Sequence, residues 1–119
     1  MKIFWNDCGR EVPSDTPVPV DVREATRIWS DEIRGVQGNY LGLVDDDDRT
    51  IQFYYDADIQ DDVEDARHLQ IVLLDFPQIE QKGSYNRHVT VGEVHSLIEK
   101  VFEVGIDHRQ FGALTFEPW

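Results

Sequence analysis

Two hydrophobic periods alternate along this chain and divide it into elements. In DVREATRIWSDEIRG, Val22, Ala25, Trp29, Ile33 and Val36 recur three to four residues apart, the stripe of an amphipathic helix. Asp21 stands where an N-cap belongs, Glu24 follows three residues later, and Gly35 is placed to end the helix. After Gly38 the period drops to two. Residues 39–44 and 50–55 then read as strands joined through DDDDR, with Ile51, Phe53 and Tyr55 on the core face of the second and Gln52 and Tyr54 on the other. A second helix is signalled more strongly. Thr90, Val91, Gly92 and Glu93 make a capping box, Val89 and Val94 can staple it, and Val91, Val94, Leu97, Ile98, Val101 and Phe102 continue as one stripe up to Gly105.

The remaining stretches are weaker. Residues 2–5 start a strand with Ile3 and Trp5 on one face, and residues 68–76 are apolar enough for a central strand that Pro77 ends. CGREVPSDTPVPVD, with prolines at 13, 17 and 19, reads as an extended connector. Residues 56–67 are an acidic excursion with room for a turn of helix, QKGSYNRH is a loop leading into the second helix, and FGALTFEPW can add a last strand.

Composition limits these elements to one core. A chain of 119 residues, 40% hydrophobic and 11% aromatic, reads as a single domain spanning 1–119. Its charge is lopsided. Twenty-four acidic residues against eleven Lys and Arg give −13, a field that repels nucleic acid and anionic lipid and attracts a basic protein. Neither nucleic acid nor a membrane is therefore an expected partner. Cys8 has no second cysteine to pair with, and the N-terminal residues reach Asn6 and Asp7 before a signal-peptide core could form. No apolar run approaches the roughly 20 residues that span a bilayer. The cytoplasm is the expected location.

Chemistry-bearing patterns are few. Asp45, Asp46, Asp47 and Asp48 suggest a hard cation, but consecutive side chains diverge, so a solvated hairpin tip is the better reading. The twelve residues from Asp56 fail as a calcium loop, lacking glycine at the sixth place and carrying arginine at the twelfth. His68, His88, His95 and His108 fall in no ligand spacing, and Cys8 has no base fixed beside it. Asp56 and Asp58 with His68 could serve as acid and base, yet nothing sets them around one pocket. No metal, cofactor or catalytic residue is expected, and the protein does not read as an enzyme. Lys82, Arg87 and His88, with Tyr85 among them, form the one concentrated basic patch.

The order of features is itself informative. A tryptophan-bearing first helix, NYLGLVDDDDRTIQFYYD, an apolar strand ending at Pro77, KGSYNRHVT before a helix and a terminal LTFEPW resemble small bacterial immunity proteins of polymorphic or contact-dependent toxin systems, from about Trp5 onward. The resemblance implies a compact α+β domain, an antiparallel sheet with helices packed on it; the pattern supplies four to five strands and two main helices. It also implies stoichiometric inhibition of one cognate toxin, and carries over no binding residues. The acidic groups Asp45, Asp46, Asp47, Asp48, Asp56, Asp58, Asp61 and Asp62, with Tyr54 and Tyr85 as aromatic anchors, are the candidates for contact with a basic toxin surface. The alternative is a non-catalytic acidic adaptor or regulatory module for a basic peptide.

Overall fold

The strands outnumber those that the hydrophobic pattern predicts. In the computed structural model, which describes residues 1–119, eight strands form one antiparallel sheet. The elements are β1 (Lys2–Asp7), β2 (Arg10–Val12), β3 (Val18–Pro19), α1 (Val22–Arg27), β4 (Tyr40–Val44), β5 (Thr50–Tyr55), β6 (Val72–Gln78), β7 (Gly83–Val89), α2 (Val94–Val104) and β8 (Thr115–Pro118). Their order across the sheet is β2-β1-β4-β5-β6-β7-β8, with β3 sharing the outer edge of β1. The class is α+β; four to five strands was too few.

Each missed strand has a physical reason. β2 and β3 are too short to display a period, and β2 exists because Cys8 and Gly9, with φ of 52° and 94°, make the two-residue turn that folds the chain back on β1. β7 hides behind polar residues on both of its faces. Ser84, Asn86 and His88 point away from the core, while Arg87, on the core side, donates from Nε to the Phe111 carbonyl at 3.3 Å. β6 starts at Val72, because residues Ala66–His68 form a 3-10 turn, and it runs through Pro77 to Gln78. Its pairing with β5 stops at Gln52 and Asp75, so Pro77 lies on a stretch already open on that side.

The helices form close to expectation. Asp21 caps α1 by accepting the Glu24 N–H at 2.8 Å, but the Glu24 side chain turns to Arg27 instead of completing a box. The helix then widens into a π turn over Ile28–Glu32 and stops at Ile33, short of Gly35. Gly35 has another role. A Cβ there would overlap the side chain of Ile59, whose N–H donates to the Gly35 carbonyl at 2.8 Å, so this glycine seats the acidic excursion. α2 has its full capping box at Thr90 and Glu93 and ends on Gly105 at φ 83°.

Both helices pack on one face of the sheet. Cross-strand register puts Ile3, Leu43 and Ile51 in one row, Leu41, Phe53 and Leu74 in the next, and Tyr55, Val72 and Val89 in a third. Ala25, Ile28 and Trp29 of the first helical segment and Val94, Ile98 and Val101 of α2 close over them, with Trp29 stacked on Tyr55 at 5.0 Å. A one-residue slip would turn a whole strand's apolar set to the other side, each side chain forfeiting roughly 1.5–3 kcal/mol. That cost fixes which residues remain on the second face.

Candidate functional site

The second face of the sheet carries no helix. Register aligns Phe4, Gly42, Gln52, Asp75, Asn86 and Thr115 across it, with Asn6, Tyr40, Tyr54, Leu73 and His88 in the adjoining row. Pro77, Ser84 and Glu117 lie on the other side of Asp75. An aromatic ladder crosses one half. Phe4 lies over Gly42, where a Cβ would overlap its ring; Tyr40 meets it edge-on at 6.1 Å, and Tyr54 stacks on Tyr40 at 6.4 Å. The other half ends at Trp119, which is 69% exposed and donates its indole N–H to the Ser84 hydroxyl at 3.2 Å.

Two depressions mark this face. One, of about 570 Å³, lies between Phe4, Tyr40, Lys2, Asp15, Asp48 and Pro77; the other, of about 360 Å³, between Tyr54, Leu73, Asp75, Asn86, Glu117 and Trp119. Gln52 borders both. Charge in the smaller one is unbalanced. Asp7, Glu32, Asp45, Asp75 and Asp107 are the carboxylates that are not freely exposed, and four of them pair with arginine: Asp7 with Arg34 and Arg10, Glu32 with Arg10 and Arg27, Asp45 with Arg49, and Asp107 with Arg109. Asp75 has no cation. Burial pushes its carboxyl above the ordinary range, Glu117 adds repulsion, and the Asn86 and Ser84 side chains counter only part of this.

A raised folded-state value means that the charged carboxylate costs stability at neutral pH, and that the cost fades as pH falls through that value. Asp75→Asn should therefore unfold at higher urea than the wild type at pH 7, by roughly 0.5–1 kcal/mol, with the difference closing on acidification. A less stable variant at neutral pH would contradict this.

The residues expected from sequence to contact a partner do not form one cluster. Asp45 is 14% exposed and structural: its carboxylate accepts from the Asp47 and Arg49 N–H groups and from Arg49 Nε at 2.7 Å. Asp46, Asp47 and Asp48 are exposed at the tip, with Asp48 at φ 59° closing the turn. Asp56, Asp58, Asp61 and Asp62 lie beyond the far end of β5, about 15–20 Å away by strand length. There Asp56 pairs with His88 at 2.8 Å, Asp58 accepts the Gln37 N–H at 2.7 Å, and Asp61 and Asp62 are exposed. Asp56, Asp58 and His68 thus have separate surroundings. No trio of His, Cys, Asp and Glu is grouped as a metal ion would require.

Tyr54 and Tyr85 fall on opposite faces. Tyr85 lies on the helix side, stacked on His108 at 4.2 Å and edge-on to Phe116 at 5.1 Å. The basic patch divides likewise, with Arg87 on that side, His88 on the open side and Lys82 in the turn before β7.

The chain matches no protein-family model, no curated protein and no solved structure. What the open face can do follows from its own chemistry. Aromatic surface beside carboxylates without internal cations suits a protein surface that brings its own positive charge. Phe4, Gln52, Asp75, Ser84, Asn86, Glu117 and Trp119 were not among the residues expected from sequence. The available signal was Asp75, a lone charge inside the apolar run IVLLDFP. No helix is long and apolar enough to cross a membrane.

Proposed function

We propose that this protein is an immunity protein, which binds one cognate bacterial toxin and covers the toxin's cationic substrate cleft with its helix-free sheet face. The observation that carries the reading is that face, where aromatic side chains adjoin carboxylates lacking a cation of their own. A toxin acting on nucleic acid needs positive charge to hold phosphate, and carboxylates at comparable spacing compete for the same groups. Charge alone gives little affinity at an interface rim. Tyr40, Tyr54 and Trp119 supply the apolar contact, while the acidic groups at the two ends of β5 speed the encounter.

The division of labour is testable with any basic toxin domain encoded beside this protein. Asp46→Asn with Asp47→Asn should slow association several-fold at low salt and leave dissociation unchanged, and the difference should vanish as salt screens the charge. Asp45 is left intact because it closes the turn. Absence of binding to that domain, or to any basic nuclease or deaminase domain of the same genome, would sink the proposal.

A further inference from the structure

The geometry points to an arginine subsite on the open face: the depression between Tyr54, Leu73, Asp75, Glu117 and Trp119 receives a guanidinium from the protein partner. The assignment deepens the docking reading above and rests on it for the source of the arginine. Three features of the depression select this ligand. Asp75 and Glu117 place two carboxylates around one space, with Asn86 Nδ2 bound to Glu117 Oε2 at 2.9 Å and thereby fixing one of them. Neither carboxylate has an ion-pair partner within the chain, although Arg10, Arg27, Arg34, Arg49, Arg67 and Arg109 all have carboxylate partners elsewhere. Of the two remaining arginines, Arg87 points to the helix side and donates to the Phe111 carbonyl, and Arg23 lies on α1, so no arginine of the chain fills this depression.

The walls discriminate between cations. Tyr54 and Trp119 offer ring surface on which a planar guanidinium can stack, and Leu73 offers an apolar floor for the methylene stem. A guanidinium also presents a fork of donors that can engage two carboxylates at once, whereas an ammonium is a compact, strongly hydrated point charge. Trp119 is held for this task at two points. Its backbone N–H donates to the Lys82 carbonyl at 2.9 Å and its indole to Ser84, so the ring borders the depression despite its exposure.

A ligand as small as one side chain binds weakly, and nuclear magnetic resonance reads such binding without a toxin. The protein has three tryptophans, so a 15N-labelled sample gives three indole signals, of which Trp119 alone reports on this site. On titration with N-acetyl-arginine amide at low salt, the Trp119 signal should move and saturate in the millimolar range, while those of Trp5 and Trp29 stay in place. N-acetyl-lysine amide should bind at least about five-fold more weakly, and Asp75→Asn or Glu117→Gln should weaken the arginine probe roughly ten-fold. No saturable movement, equal affinity for the lysine probe, or unchanged affinity in both variants would overturn the subsite. So would a response to calcium chloride in place of arginine. The two readings fail separately. Saturable arginine binding in a protein that captures no toxin would uphold the subsite and remove the immunity function, whereas toxin binding indifferent to Asp75→Asn would do the reverse.

Discussion

Replacing Asn39 by alanine should cost the fold about 3 kcal/mol, a large share of a small domain's stability. Asn39 is 2% exposed and ties three pieces of chain together: its amide donates to the Asp7 carboxylate and to the Arg34 carbonyl, both at 2.9 Å, and its oxygen accepts the Cys8 N–H at 2.8 Å. The β1–β2 turn is thereby fastened to the connector that enters β4. Asp7, 4% exposed, is the other half of the fastening. Burial alone would raise its carboxyl, but hydrogen bonds from Arg34 and the charges of Arg34 and Arg10 outweigh that and hold it below the ordinary range. Its contribution is present above the usual carboxylate range and is lost as pH falls. Asn39→Asp reverses the sign. Two carboxylates at hydrogen-bond distance cannot both ionise in a site closed to water, so one value is raised and the variant regains stability as pH drops through it. Urea unfolding at pH 7 and pH 5 separates these effects. Equal midpoints for wild type and Asn39→Ala would mean that the cluster fastens nothing.

Tyr54→Ala should weaken toxin binding by about 2–4 kcal/mol, a loss of 30-fold or more, and leave the fold standing. Tyr54 sits where the aromatic ladder meets the depression around Asp75, and its ring is half-buried on a face that no helix covers. Tyr85→Ala should do the opposite. Tyr85 packs between His108 and Phe116 on the helix side, so its loss should lower the unfolding midpoint and change affinity little. Calorimetric titration alongside thermal unfolding reads both quantities. Binding lost with Tyr85 and kept with Tyr54 would move the interface to the helix side.

What sequence made legible was whatever carries a long period. The β4–β5 hairpin folds as the pattern predicts because five or six residues in each strand repeat one choice between core and solvent, and both helix starts do so because Asp21 and Thr90 carry their capping signals locally. β7 escaped because its open-face residues, Ser84, Asn86 and His88, are polar while Arg87 interrupts the core-facing set, leaving Tyr85 and Val89 as a broken alternation. The site was less legible than the fold. The aspartate run is the densest acidic stretch of the sequence, yet its first member is spent on the turn and on Arg49. Asp75 stands out only after pairing is known, since five partly or fully covered carboxylates look alike in the sequence and four of them turn out to have an arginine. Which residues turn away from the core follows from the alternation, as Gln52 and Tyr54 show, whereas the absence of a helix over that face is decided by packing at a distance.

Docking of the helix-free face on a basic toxin, as proposed, is separated from general electrostatic attraction by moving the same amount of charge to two places. Asp75→Lys with Glu117→Lys changes the open face, and Glu99→Lys with Glu103→Lys changes the exposed side of α2 by an equal net charge. Affinity for the basic toxin domain that the proposed function requires should fall about a hundred-fold or more in the first protein and stay within about three-fold of wild type in the second. Equal losses in the two proteins, a greater loss in the second, or no binding by the wild type would contradict the account.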